Sequence, residues 1–253
     1  MKKPSFKNAD HPLITAMIQC RTPEECADKI ERSLAAGAEA FGIQLCQLSR
    51  QYRTKEVLTD LFSRCGGKPI YITSYRYNES TGMTDEECAD LLLLGLSCGA
   101  TLCDIMGDLF APNEYQITDD PEAVARQKEL IRTIHARGGE VLISTHDFRP
   151  LTADKIFAVA AEQKARGADV LKIVVQDSGL SQLPAYLAVL QKMAKTLDRK
   201  ILFLSVGPCG KYLRRLGADF GACCYLCVSD HGELDTPSQP TIQNILDVKK
   251  VFA

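Results

Sequence analysis

No apolar stretch in these 253 residues approaches the roughly 20 needed to span a bilayer. The longest near the start, Leu13 to Ile18, is too short for the core of a secretion signal, and no small-residue cleavage pattern follows it. There is no basic block, and the net charge is −2, so neither nucleic acid nor an anionic membrane is expected as a partner. No Gly-x-Gly-x-x-Gly follows the first strand-like run and no Walker-type loop is present, which leaves nucleotide binding without support. No low-complexity segment or linker divides the chain, so one domain over residues 1–253 is expected. The 11 cysteines are odd in number, and without an export signal they read as free thiols packed as small apolar groups in a reducing compartment. The cytoplasm is the expected location. Cys223-Cys224-Tyr225-Leu226-Cys227 invites a metal reading, but it lies in a strand-like run with no second ligand pair at structural-zinc spacing. Neither a metal nor a cofactor is expected.

What is present is an ordinary globular balance, 45% hydrophobic and 25% charged, with short apolar runs alternating with longer amphipathic ones. Strands are expected at Ile14–Ile18, Ala40–Cys46, Ile70–Ser74, Thr101–Ile105, Glu140–Ser144, Val170–Val175, Lys200–Ser205 and Asp219–Leu226. Helices fill the gaps. Thr22-Pro23-Glu24-Glu25 and Thr84-Asp85-Glu86-Glu87 are helix starts, and glycine signals such as Gly138-Gly139 and Gly167-Ala168 mark helix ends before the next strand. Eight strands alternating with seven or eight helices predict an α/β fold, a (β/α)8 TIM barrel, with an open doubly wound sheet as the alternative.

Lys172 is the most informative residue. It sits in Asp169-Val170-Leu171-Lys172-Ile173-Val174-Val175, an apolar, β-branched run typical of a strand buried on both faces. A lysine there snorkels to water, finds a partner, or loses its proton and becomes a nucleophile able to form a Schiff base. Ser144-Thr145-His146-Asp147-Phe148 closes the preceding strand, one helix earlier, and places a histidine where parallel α/β folds hold catalytic groups. A Schiff-base lysine beside a general acid–base is a coherent pair. The other polar residues at barrel strand ends are Gln44, Arg76, Asp104 and Arg214, with the loop Ser229 to Gln239. Two arginines near Lys172 and His146 point to an anionic substrate, a carboxylate or phosphate.

These motifs resemble type I 3-dehydroquinate dehydratase, the Schiff-base lyase of the shikimate pathway. Ser144-Thr145-His146-Asp147-Phe148 looks like its Ser-x-His-Asp-Phe, and Gly167 to Ile173 looks like its Gly-Ala-Asp-x-x-Lys-x. Gly207, Gly210, Arg214, Gly217, Phe220 and Gly221 follow its pattern after the seventh strand, and Pro237 and Gln239 resemble its closing loop. The resemblance implies that Lys172 and His146 are catalytic. It also implies that Arg214 and Gln239 hold a substrate carboxylate, that Arg76 holds a substrate oxygen, and that the enzyme is a homodimer acting on a small keto carboxylate.

The departures fall on the substrate side. Gly42, Gln44 and Cys46 stand where the family has Glu-x-Arg-x-Asp. Ser80 replaces a second glutamate, with Glu79 one residue early; Met106 replaces another, and Asp235 and Ser238 stand for serine and glycine in the closing loop. Gln44 and Asp235 remain candidates for substrate contact. An aspartate at 235 would repel a carboxylate on Arg214 unless it binds another group. Depleted hydrogen-bonding frames change specificity strongly. Three readings follow: a 3-dehydroquinate dehydratase, a Schiff-base lyase or aldolase on another keto carboxylate, and a non-catalytic regulatory relative that binds a metabolite.

Overall fold

The computed structural model describes residues 4–252. Eight parallel strands run in the order β7-β6-β5-β4-β3-β2-β1-β8, where β1 is Leu13–Ile18, β2 Ala40–Gln44, β3 Ile70–Thr73, β4 Leu102–Met106, β5 Glu140–Asp147, β6 Val170–Gln176, β7 Lys200–Val206 and β8 Cys224–Cys227. The ring closes where Cys223 donates its N–H to Ile201 O at 2.8 Å, beside an Ile201–Ala222 bridge. The strands alternate with helices α1 (Pro23–Ala35), α2 (Lys55–Ser63), α3 (Asp85–Ser97), α4 (Pro121–Ala136), α5 (Ala153–Arg166), α6 (Leu183–Thr196), α7 (Gly210–Leu216) and α8 (Ile242–Phe252). This is the (β/α)8 barrel that the alternation predicts. Among the described residues no helix is long and apolar enough to cross a membrane.

The helix starts read from the sequence are built as expected. Thr22 and Thr84 cap α1 and α3 in reciprocal capping boxes with Glu25 and Glu87. Gly167 ends α5 with a φ of 110°, a left-handed conformation that costs glycine nothing. The last strand differs from expectation. Gly217–Phe220 forms a 3₁₀ turn, Gly221 takes a φ of 111°, and β8 begins only at Cys224 rather than at Asp219. The left-handed glycine breaks what reads, by hydrophobicity alone, as a continuous run.

Because side chains alternate across a strand, each strand feeds two cores. The odd faces of β5 and β6 (Ile143, Leu171, Ile173, Val175) join the layer between barrel and helices. The even faces (Leu142, Val170, Val174) point into the barrel with Met17, Tyr71, Leu102, Leu202, Leu204 and Leu226. The N-terminal mouth is plugged by Phe6, whose ring meets Tyr71 edge-on at 6.4 Å while its N–H bonds the Glu140 carboxylate at 2.9 Å. The C-terminal mouth is left open for a site. All 11 cysteines are free and buried.

Candidate active site

Alternation puts Lys172 on the inward face of β6, paired in register with Ser144 of β5 and Leu202 of β7. The side chain is 6% exposed and does not snorkel. It has partners instead. Nζ lies 2.6 Å from the Tyr75 hydroxyl, 2.9 Å from the Tyr71 hydroxyl and 3.1 Å from Asp104 Oδ2. Both phenols donate to that same carboxylate oxygen, each at 2.5 Å. Burial, and then the Asp104 charge, push both phenols well above their ordinary pKa, so they remain protonated donors. Asp104 Oδ1 has no partner among the described residues.

His146 lies one inward position beyond Ser144, next to the end of β5. Its ring meets Tyr75 edge-on at 5.2 Å. Its backbone N–H and its Nδ1 both contact Gln116 Oε1, at 3.2 and 3.0 Å. A backbone N–H can only donate, so this oxygen is an acceptor and Nδ1 must carry the ring proton. Nε2 therefore keeps its lone pair, and it has no partner among the described residues. Burial, and then the Lys172 charge, push the imidazole down to about 3, so it is neutral near pH 7.

Gln116 reaches this position because the loop after β4 is clamped. The buried Arg166 of α5 donates to Gly107 O, Thr118 O and Gln127 Oε1 at 2.7, 2.5 and 2.8 Å. Gly107 lets that loop fold on itself and lie against β5, since a Cβ there would stand 2.6 Å from Gln116 O and 3.0 Å from Thr145 Oγ1.

Lys172 and His146 open onto a cavity of about 180 Å³. Its polar lining is Gln44, Tyr75, Tyr77, Thr236, Arg214 and Gln239; its apolar lining includes Met17, Phe148, Val174, Leu204 and Leu226. Arg214 is 7% exposed and has no carboxylate partner among the described residues, only Ser238 Oγ at 3.1 Å from Nε. Burial lowers its pKa to about 10, where it is still charged near neutrality. A buried, uncompensated guanidinium on a cavity wall is a ready site for a ligand carboxylate. Gln239 Oε1 accepts from Thr236 N–H at 3.2 Å, and its amide nitrogen has no partner among the described residues.

Two residues that the sequence assigns to substrate lie off this wall. Arg76 forks onto Asp85 at 2.5 and 2.9 Å and reaches Asp108 Oδ1 and O, each at 2.9 Å. These four hydrogen bonds fasten α3 to the loop after β4. Asp235 is buried against Lys29 of α1 and accepts the Gly232 N–H at 2.7 Å. It therefore answers Lys29 rather than repelling an anion at Arg214, and Thr236 beside it faces the cavity.

The space where a glutamate side chain would leave β2 is filled. A Cβ on Gly42 would overlap Met17 Sδ and stand 3.0 Å from Tyr71 Cδ1. Gly42→Ala is expected to cost about 1–3 kcal/mol by overpacking. In a Met17→Ala background that cost should be smaller, so the two changes couple in a denaturant-unfolding cycle. Additive losses would show that Met17 does not occupy this space.

Several residues here were not read from the sequence. Tyr71 is an unremarkable aromatic in an apolar strand, Gln116 lies in a loop without a motif, and Lys29 lies in α1, 206 residues from Asp235. Tyr75 had a visible signal, since it immediately precedes Arg76.

Comparison with known proteins agrees with this architecture. The family model described as type I 3-dehydroquinase matches residues 14–252. A 3-dehydroquinate dehydratase from Lactiplantibacillus plantarum is 30% identical over 132 residues, covering 50% of this chain and 48% of that protein. The match thus spans about half that relative's length. A 3-dehydroquinate dehydratase from Aromatoleum aromaticum is 22% identical over 204 residues, 79% of this chain and 73% of that one. The crystal structure of 3-dehydroquinate dehydratase from Geobacillus kaustophilus superposes with a TM-score of 0.83 at 15% identity, covering 96% of this chain and 92% of that one.

Proposed function

The chain belongs to the type I 3-dehydroquinase family, and from that premise we propose that it is a hydro-lyase that dehydrates a β-hydroxy keto carboxylate of the 3-dehydroquinate type through a Schiff base on Lys172. The observation that carries this is the Lys172 ammonium, sequestered on the barrel axis beside a neutral His146 and an Arg214 with no carboxylate partner among the described residues, all facing one small cavity.

Arg214 and the Gln239 amide hold the substrate carboxylate. Lys172 adds to the ketone and water leaves, giving an iminium ion. The iminium acidifies the adjacent C–H, and His146 Nε2 takes that proton. The electrons of the broken C–H bond neutralise the iminium nitrogen and form an enamine. The positive charge beside His146 thus disappears as the imidazole gains its own, which removes one of the two effects that hold its pKa down. The enamine then expels the β-hydroxyl, which departs as water with the proton from His146. Hydrolysis of the conjugated iminium releases an enone acid and restores Lys172. With 3-dehydroquinate the product is 3-dehydroshikimate. The imine is the electron sink, so the residues present supply the whole sequence. A homodimeric assembly and a cytoplasmic setting accompany this proposal on the family resemblance and the composition.

A second reading, a Schiff-base lyase for a less hydroxylated keto carboxylate, is favoured by one specific feature. Met17 and Tyr71 fill the space beside Gly42, and Arg76 is committed to Asp85 and Asp108. Polar groups that would recognise ring hydroxyls are replaced by apolar bulk, and unmatched hydroxyls are costly to bury. The test is kcat/KM with 3-dehydroquinate, followed through absorbance of the conjugated enone product. A value of about 10⁴ M⁻¹s⁻¹ or above, within the ordinary enzyme range, supports the family substrate. A far lower value, with efficient turnover of a smaller keto acid, supports the second reading.

A further inference from the structure

The loop that joins β8 to α8, residues 228–241, has two sides with different partners. Its inner side supplies Thr236 and Gln239 to the cavity wall, and its Ser238 Oγ accepts from Arg214 Nε at 3.1 Å. Its outer side is tied to the end of β1 and to α1. Arg32 Nε meets Asp230 Oδ1 at 3.2 Å, Arg21 meets Glu233 at 3.5 Å, and Gln19 Nε2 donates to Leu234 O at 3.1 Å. The two ion pairs among these are about half exposed or more, and such pairs hold little. The fourth tie is different. Lys29 and Asp235 form an ion pair whose side chains are 5% and 0% exposed. Lys29 lies on the buried face of α1 with Cys26, Ile30 and Ser33, where an ammonium is costly unless it is paired. Asp235 Oδ2 also accepts the Gly232 N–H at 2.7 Å, and the Asp235 N–H returns to Gly232 O at 3.2 Å, so the loop turns tightly around the pair. The next residue is Thr236. Its N–H donates to Gln239 Oε1 at 3.2 Å, and the Gln239 N–H donates to Thr236 O at 2.9 Å. The Gln239 side chain is thus fixed four residues from a buried ion pair.

Resting on the reading of Arg214 and Gln239 as the carboxylate site, we propose that Lys29 is a positioning residue for substrate binding: through Asp235 it latches this loop in its binding form before substrate arrives. Neither Lys29 nor Asp235 lines the cavity, so both act only through the loop. The latch makes the ordering of Thr236, Ser238 and Gln239 part of folding rather than of binding, and binding is tighter by that amount. It also gives Asp235 a use on the substrate side of the molecule without placing a negative charge on the cavity wall.

The test compares the full chain with Asp235→Asn and with the double variant Lys29→Met/Asp235→Asn. Asp235→Asn strands the buried Lys29 charge and is expected to lower stability. The double variant removes both charges at nearly constant volume and is expected to recover stability in denaturant unfolding. Substrate grip is expected not to recover with it. In the double variant, KM for 3-dehydroquinate and the concentration that half-saturates borohydride labelling of Lys172 should both rise about tenfold, the scale of ordering one or two side chains on binding, while kcat changes far less. A KM that returns to the wild-type value together with stability, or a fall in kcat at unchanged KM, overturns the latch. A second arm needs no substrate. In hydrogen exchange on the free protein, the N–H groups of Gly232, Asp235, Thr236 and Gln239 are expected to be protected in the wild type and to exchange faster in the double variant. Equal protection in both, or free exchange in the wild type, overturns the latch and leaves the Lys172 assignment standing. Absence of any Lys172 adduct in the wild type, with the expected difference in exchange, overturns the Schiff-base reading and leaves the latch standing.

Discussion

Replacing Lys172 with alanine is expected to abolish turnover altogether, because among the described residues no other lysine lines the cavity to form the imine. The same change should also reduce stability. Lys172 is the cation that faces Asp104 in a fully buried setting. Removing one partner of such a pair leaves the other charge stranded, at a cost of about 3–5 kcal/mol. The two phenols that donate to Asp104 Oδ2 remain and hold the loss toward the lower end. Lys172→Met paired with Asp104→Asn removes both charges at nearly constant volume, so it should recover much of the stability in denaturant unfolding while leaving activity at zero. Loss of activity with no loss of stability would mean that the Lys172–Asp104 pair contributes little to the fold. Residual turnover in either variant would remove Lys172 from the chemistry.

His146→Ala is expected to slow turnover by about 10² or more, the usual consequence of removing a general acid–base, with imine complexes accumulating because their hydrolysis also needs a proton shuttle. The same residue gives a pH signature. Its folded pKa is lowered to about 3 against about 6.5 in an unfolded chain. Between those values the unfolded state binds the extra proton, so stability rises with pH across the window and is lost as pH falls below about 6.5. His146→Ala should flatten this part of the stability–pH curve. Near-native turnover, or an unchanged curve, would show that the buried neutral imidazole is not as described.

How much of this was legible in the sequence depends on distance along the chain. Lys172 and His146 announce themselves locally, each by a polar group in or at the end of an apolar β-branched run, and strand alternation then dictates that both face inward. The eight-strand count follows from the same periodicity. The largest departure is at β8, where hydrophobicity continues through Gly221 although the backbone turns there; β2 also stops at Gln44, two residues short of the expected Cys46. What was not legible is pairing across the fold. Arg76 is an arginine at a strand end, and nothing in its neighbourhood says that Asp85 and Asp108 claim it. Asp235 looks hostile to an anion until Lys29 of α1 is brought beside it. The Gly42 substitution reads as a missing charge; in the fold the Met17 thioether and the Tyr71 ring occupy the space a side chain there would need. Gln116 sits in a loop with no motif, and the Arg166 clamp helps hold that loop against His146.

The most direct test is the location of the covalent adduct. Incubation with 3-dehydroquinate or a smaller keto carboxylate, followed by borohydride reduction, digestion and peptide mass mapping, is expected to place a reduced adduct on the peptide containing Lys172, with no adduct in Lys172→Ala. An adduct on another lysine with Lys172 unmodified, or efficient dehydration with no trappable adduct on any lysine, would contradict a Schiff-base centre at Lys172.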